Sequence, residues 1–286
     1  MSKQRSLLYF AIEYTIALLS GLYIYITYQG EVNLFLLVLY VDVVMTIIIF
    51  VFSLIHNNSS IYDPYWSVVP PFLLLLIMQS LDVFGFLQLV VLFGVLVWAI
   101  RLTYNWIIDF EGLSEEDFRY VDFRLKFKKS FWIISFLGIH LFPTLIVLLS
   151  LYPIYYLFTN TVTFEFFVYA GVFVMIIGAV LSYFADKQVR DHKKDKNNKS
   201  IPCSKGLWEK SRHPNYLGEL TFWMGCFIAG LGAGFNIATT LGIIGMILLF
   251  NLYSIPKMEQ RQLKTKKNYQ DIIDTVPRLL PLQRRK

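Results

Sequence analysis

The sequence predicts an all-α protein, a polytopic membrane bundle of about eight transmembrane helices with both termini in the cytosol. Of its 286 residues 56% are hydrophobic and only 16% are charged, and its mean hydropathy is +0.53, too apolar for an ordinary soluble surface. The apolar residues come in runs close to the ~20 residues that a helix needs to cross a bilayer. Lys and Arg gather in alternate connecting segments, which is the charge pattern of a protein inserted with its basic loops inside.

In chain order the candidate spans are residues 7–28, 33–55, 66–80, 84–108, 131–158, 164–185, 215–232 and 236–255. The first follows Lys3 and Arg5, exceeds a signal-peptide core and has no small-residue cleavage site, so it reads as a retained span. The third is short and carries Pro70-Pro71, which predicts a tilted, broken or re-entrant segment. The fifth is long and holds Pro143 and Pro153. Loops 29–33, 80–83, 159–163 and 232–236 have no Lys or Arg. The opposite loops hold Arg119, Arg124, Lys126, Lys128 and Lys129, then the run from Lys187 to Arg212, then the tail from Lys257.

The net charge of +6 is thus concentrated on one side, where anionic lipid head groups account for much of it. Nucleic acid is excluded as a partner, because the basic residues flank membrane spans and form no binding module. Cys203 lies in a basic loop and Cys226 inside an apolar span, so neither a disulfide nor a cysteine metal site is expected. Residues 191–200 form a polar loop with a solvated tip. No repeat, domain boundary or organelle address is evident. The chain reads as a single membrane domain over 1–286, multi-pass, in the endoplasmic reticulum of a eukaryote or the inner membrane of a bacterium.

Ionisable residues inside spans are functional candidates by default, and they are Glu13, Asp42, Arg101, His140 and Glu219. Each has a plain structural alternative: Arg101 can pair with an acid, His140 can be a satisfied core histidine, and Asp42 can face the bundle interior. Gly171 with Gly178, and Gly218 with Gly225, fall two helical turns apart and predict close helix packing. Gly230-Leu231-Gly232-Ala233-Gly234 superficially resembles a dinucleotide fingerprint but follows a span instead of a strand, and is rejected.

The most informative stretch is 206–219, where a basic loop turns back into an apolar helix at Pro214. Proline suits a first helical turn, and Ser211, His213 and Asn215 are residue types that accept from free helix N–H groups. Such a terminus, with Lys205, Lys210 and Arg212 beside it, can hold a phosphate or a carboxylate. Asn215 and Glu219 share a face one turn apart. The same features also describe a well-capped helix start at the lipid interface.

Gly206-Leu207-Trp208 followed by Ser211-Arg212-His213-Pro214-Asn215-Tyr216 and Gly218-Glu219 resembles the signature of the steroid 5α-reductase-like membrane family, whose C-terminal halves bind NADPH. A shorter form of the motif resembles that of isoprenylcysteine carboxyl methyltransferases, which use S-adenosylmethionine. In the first half, Asp63 to Pro70, Trp98 to Leu102 and Glu116 to Tyr120 resemble an uncharacterised branch of the reductase-like family. Asp63 falls where steroid reductases carry a substrate-contacting Glu, whereas their partnering Tyr is replaced by Trp98, a departure that tells against a 3-ketosteroid substrate. Asp186 precedes Asn215 at the family's separation, and Ser182, Asp186 and Arg190 share one face. In the closing segment Glu259 and Tyr269 match, while Lys257 and Arg261 replace a His and a Tyr.

The resemblance implies residues 1–130 on the substrate side and 131–286 as the cofactor-binding region. It implies NADPH-dependent hydride transfer to a carbonyl-conjugated C=C bond of a lipidic substrate, sterol, steroid or polyprenyl-like. Asp63 and Glu219 are the implied catalytic residues. Ser182, Asp186, Arg190, Lys193, Trp208, Arg212, His213, Asn215, Tyr216, Glu219, Lys257 and Glu259 are the implied cofactor residues, and no metal is expected. NADPH is favoured over S-adenosylmethionine because Arg190, Lys193, Lys194, Lys205 and Arg212 cluster at one helix start, where phosphates need cations. Carboxyl methylation of a lipidated substrate and a non-enzymatic membrane protein with a relict site are the alternatives.

Overall fold

Each apolar run folds into a helix that ends where the sequence supplies a turn signal, and a computed structural model describes residues 2–281. Helix α1 (Lys3–Tyr28) starts behind Ser2, whose side chain accepts from Arg5 N, and α2 (Leu34–Ile55) behind Asn33, which accepts from Phe35 N and Leu36 N. These side chains satisfy donors that a helix start leaves free. A 3₁₀ turn, Ser59–Tyr62, leads into α3 (Tyr65–Leu81), and Gly85 precedes α4 (Phe86–Asp109). Asp117 caps α5 (Phe118–Phe127). Then come α6 (Phe131–Ile134), a π-helical segment Ser135–Leu141 and α7 (Phe142–Thr159). The C-terminal half holds α8 (Glu165–Lys194), α9 (Leu207–Lys210), α10 (Pro214–Gly230), α11 (Thr240–Leu249), a π-helical turn Phe250–Ser254, α12 (Ile255–Thr265) and α13 (Tyr269–Thr275). No strand occurs among the described residues.

Among the described residues, seven helical segments are long and apolar enough to cross a membrane. The eighth expected span, 215–232, differs: α10 has 17 residues and stops at Gly230, where a 3₁₀ turn over Leu231–Ala233 takes over. At 1.5 Å per residue it rises only about 26 Å, and α7, α8 and α11 pack against it. The third segment also differs from expectation. Pro70 and Pro71 sit inside α3, which runs through them unbroken.

Both ends of the described chain lie at one end of the bundle. The ammonium of Lys3 donates to Ile108 O at 3.1 Å, and Leu113 N donates to the Ser6 hydroxyl at 3.1 Å, joining the start of α1 to the end of α4. Arg190 of α8 approaches Asp109 at 3.9 Å, and Arg212 N, just before α10, donates to Pro277 O at 2.9 Å.

Charges inside spans are matched, as a low-dielectric interior requires. Glu13 pairs with His56. Asp42 accepts from the Tyr65 hydroxyl at 2.8 Å, and His140 bonds Ser53 Oγ and Ser135 O, both at 3.0 Å. His140 is therefore a satisfied core histidine.

The tightest packing joins α8 to α10. A methyl group added at Gly178 would lie 2.5 Å from Phe222 N, at Gly171 2.6 Å from Gly225 O, at Gly218 2.6 Å from Gly178 O, and at Gly225 2.6 Å from Met175 N. Backbone faces backbone along the whole seam, so the predicted glycine contacts are present and no side chain fits there. Gly178→Val should cost about 1–3 kcal/mol of stability through overpacking, read as a lower thermal midpoint in detergent. Gly138→Ala, where an added methyl meets nothing within 4 Å, should leave that midpoint unchanged. Equal effects would refute the backbone seam.

Candidate functional site

The α8/α10 seam sets the C-terminal turns of α8 beside the N-terminal turn of α10. The Ser182 hydroxyl donates to Asn215 O at 2.9 Å, which fixes where α10 begins. No side chain caps α10; the Ser211 hydroxyl instead accepts from His213 N at 3.2 Å. Gly206 enters α9 at φ +64, and its Cα packs so closely on Gln188 that a Cβ would meet the amide at 2.8 Å. That amide oxygen accepts from Leu207 N at 3.0 Å, and the Trp208 indole donates to Ala185 O at 2.9 Å. Loop 201–210 is thereby laid along α8.

Between α8, this loop, the start of α10 and the α12–α13 segment lies a cavity of about 540 Å³. Asp186, Arg190, Lys193, Trp208, Arg212, His213, Asn215 and Tyr216 all line it, and so eight of the expected cofactor residues share one space. Lys199, Arg261, Lys266 and Tyr269 line it too. In total six lysines and arginines face two carboxylates, Asp109 and Asp186.

Three buried polar atoms of the lining residues have no hydrogen-bond partner, Asn215 Oδ1, Arg190 Nη1 and Gln262 Oε1. Buried donors and acceptors left without a hydrogen bond cost free energy unless something else fills the need. The His213 and Tyr216 rings stack with planes 5° apart and centroids 5.5 Å apart, and Tyr216 packs in turn on Phe250. Burial pushes the His213 imidazole below its ordinary value, against the pull of Glu259, and burial raises Tyr269 to about 12. Both are therefore uncharged at neutral pH.

Four of the expected cofactor residues lie outside the cavity lining. Ser182 is beneath it, as described. Glu219 accepts from the Trp98 indole at 2.8 Å and forms an ion pair with Arg101. Arg101 also reaches Asp186 at 3.9 Å, and Asn105 donates to Asp186 at 2.7 Å. A polar chain Trp98–Glu219–Arg101–Asp186–Asn105 thus ties α4, α10 and α8 together behind the cavity wall. Glu259 accepts from Arg212 Nε at 2.8 Å and contacts His213 Nε2 at 3.1 Å. Arg212 Nη1 donates to Ile273 O at 2.6 Å and to Val276 O at 2.9 Å, so this guanidinium clamps the C-terminal segment. Lys257 turns away toward Asp122 at 3.6 Å.

The family model described as a protein of unknown function, DUF1295, matches residues 49–276. The chain belongs to the DUF1295 family. An uncharacterized protein of Schizosaccharomyces pombe, C594.04c, is 26% identical over 66% of this chain and 64% of its own length. The chain therefore spans just under two thirds of that relative. No solved structure matches it.

In this DUF1295 protein Asp63 is separate from the cavity. It precedes α3 and accepts from the Tyr120 hydroxyl at 2.7 Å.

Sequence reasoning missed Asn105 and the wall built by α12 and α13. Asn105 was within reach, since Trp98, Arg101 and Asn105 are spaced three and four apart on one helix face. The α12–α13 wall carries no such signal, because it is placed by the clamp on Arg212.

The polar chain has a measurable consequence. Glu219→Leu should destabilise the DUF1295 protein by about 3 kcal/mol or more, since it leaves buried Arg101 without its close partner. Arg101→Leu combined with Glu219→Leu should cost less than the two single changes summed. Additive losses in that double-mutant cycle, followed by thermal unfolding in detergent, would remove the pair from the account.

Proposed function

We propose that the protein is an NADPH-dependent membrane reductase that reduces a carbonyl-conjugated C=C bond of a lipidic substrate. The observation that carries this reading is the cavity of about 540 Å³, in which Asp186, Arg190, Lys193, Trp208, Asn215 and Tyr216 converge. The residues fit the group. Asn215 Oδ1, buried and unpartnered, can accept from a carboxamide; the unpartnered Arg190 Nη1 can donate to a phosphate; and the Asp186 carboxylate can accept from a ribose hydroxyl. NADPH, when bound, supplies the hydride.

The chain's own residues do the rest. Asn105 and Arg101 hold Asp186 at the wall, and Glu219 holds Arg101, so Glu219 is a positioning residue in this reading. Tyr216, stacked on His213, and Trp208, tethered to Ala185, present flat apolar surfaces that orient a planar ring. Asp63 and the Tyr120 hydroxyl are the acid couple assigned to the substrate's side, where a proton held near the carbonyl oxygen stabilises developing negative charge. The apolar bundle keeps water out of such a step and admits lipids.

The test is cofactor binding to detergent-solubilised protein. Saturable NADPH binding should slow maleimide labelling of Cys203, which lines the cavity, while Cys226 is fully buried and does not label. Arg190→Ala should weaken NADPH binding about tenfold or more, the loss of one charge-assisted bond. Binding of S-adenosylmethionine alone would favour the methyltransferase, and binding of neither would favour a non-enzymatic role.

We further propose that the cavity end of the bundle faces the cytosol, because the Lys- and Arg-rich segments gather there. Reporter fusions after Asn160 and Lys196, at opposite ends of the 30-residue α8, should report opposite sides of the membrane. The Lys196 fusion should be cytosolic; agreement between the two would refute the topology.

A further inference from the structure

Asp42 is the ninth of the 22 residues of α2 and is 2% exposed, so its carboxylate lies deep within a span. It accepts from the Tyr65 hydroxyl at 2.8 Å and takes part in no ion pair among the described residues. A phenol satisfies a hydrogen bond but carries no charge to offset that of a carboxylate. An ionised group with only neutral partners is costly in a low-dielectric interior. His140 does not serve as its counter-charge, since its two ring nitrogens are bonded to Ser53 Oγ and Ser135 O.

Beside this carboxylate lies a second, much smaller cavity of about 10 Å³, room for one water-sized species. No lysine, arginine or histidine lines it. Its polar side chains are those of Asp42, Tyr62, Tyr65, Trp66 and Thr144, brought together from α2, the 3₁₀ turn, α3 and α7. The hydroxyls are already ordered. Tyr62 Oη is 2.7 Å from Thr144 Oγ1, Thr144 donates to His140 O at 2.9 Å, and Thr46 donates to Tyr65 Oη at 3.0 Å. Each hydroxyl hydrogen thus has an acceptor, with the Tyr65 hydrogen directed at Asp42, and what the cluster has left to offer is lone pairs.

Helix α3 adds a backbone oxygen. Pro70 has no N–H, so Trp66 O cannot receive the bond that position 70 of an unbroken helix donates, and both residues line the cavity. In membrane-embedded helices, backbone oxygens freed in this way coordinate cations where they border an enclosed space. A proton alone would neutralise Asp42 with no need of a space or of further oxygens. A cation needs both, and both are present.

We infer that Asp42, Tyr62, Tyr65, Thr144 and the Trp66 carbonyl form a seat for one dehydrated monovalent cation of about sodium's size. Oxygen ligands suit a hard ion. One carboxylate balances one positive charge, whereas a divalent ion would leave an excess charge in the same low-dielectric setting. The seat joins α2, α3 and α7 to the 3₁₀ turn that ends at Tyr62, directly before Asp63, and so braces the turn from which Asp63 projects. It is separate from the larger cavity at the α8/α10 seam and does not depend on which cofactor that cavity takes.

The experiment is thermal unfolding of the full chain in neutral detergent, in sodium, potassium or N-methylglucamine chloride at equal ionic strength. A ligand that binds only the folded state raises the midpoint with its concentration. The wild-type midpoint should climb by about 2–5 °C for each tenfold increase in sodium above its dissociation constant, by less in potassium, and not at all in N-methylglucamine. Asp42→Asn keeps an acceptor for Tyr65 but removes the charge, so its midpoint should be the same in all three salts. Should that variant not fold, Thr144→Val, which removes one oxygen at nearly constant shape, should move the sodium response to about tenfold higher concentration.

A wild-type midpoint indifferent to the choice of cation would overturn the seat and leave Asp42 as a protonated core residue. A sodium response that survives unchanged in Asp42→Asn or Thr144→Val would place the ion elsewhere, and an equal response to potassium would deny the site its size. Either outcome overturns the inference.

Discussion

The close approach of α8 and α10 is the constraint on which the rest of the structure depends. Four glycines let the two backbones touch, and that contact sets the register between Ser182 and Asn215 and between Asp186 and Glu219. In a bilayer the hydrophobic effect does not drive helices together, so packing and hydrogen bonding must supply the association. A seam without side chains delivers both: dispersion contact along its length, and the Ser182 hydroxyl on Asn215 O at its polar end. An added methyl group would meet the opposite backbone at about 2.5 Å, so the two helices would have to part by roughly 1 Å to restore ordinary contact.

Charge is handled differently on the two sides of that seam. Toward the bundle interior Glu13, Asp42, Arg101 and Glu219 each have a partner, and a chain of polar contacts runs through Trp98, Glu219, Arg101, Asp186 and Asn105. Toward the cavity mouth the matching stops. The boundary falls at Asp186, which belongs to both regions, since it accepts from the interior network and lines the cavity. A carboxylate so placed links the rigidity of the bundle to whatever occupies the site.

The spans were legible because the solvent is lipid: length and apolarity alone identify a helix that must satisfy all its backbone groups internally. The pairing of α8 with α10 was legible from four glycines at two-turn spacing. α10 was harder to bound, because composition does not mark where a helix packed among other helices becomes too short to span. Pro70 and Pro71 misled for a related reason, since neighbouring helices can hold a proline-containing helix straight. At the site, the Asn215 and Tyr216 end was readable from a local motif. Glu219 was not, because its role depends on Arg101, 118 positions earlier. Lys257, one turn before Arg261, took the wrong side of α12, as helical position decides the outcome and basic character does not.

One feature of the C-terminal segment bears on how the protein is made. Arg212 grips residues 273, 276 and 277, and Tyr269, which lines the cavity, is buried in the closed structure. Residues 269–277 follow the seven described spanning segments in the chain and so leave the ribosome after them. A nascent chain can therefore insert and assemble its bundle while its ligand pocket is still an open shelf. Anything that binds there would be enclosed only once translation has passed α13, and from then on would stabilise the bundle with this wall in place. The cavity is thus the last part of the bundle to acquire its outer wall, and it does so by a side-chain clamp and not by a further span.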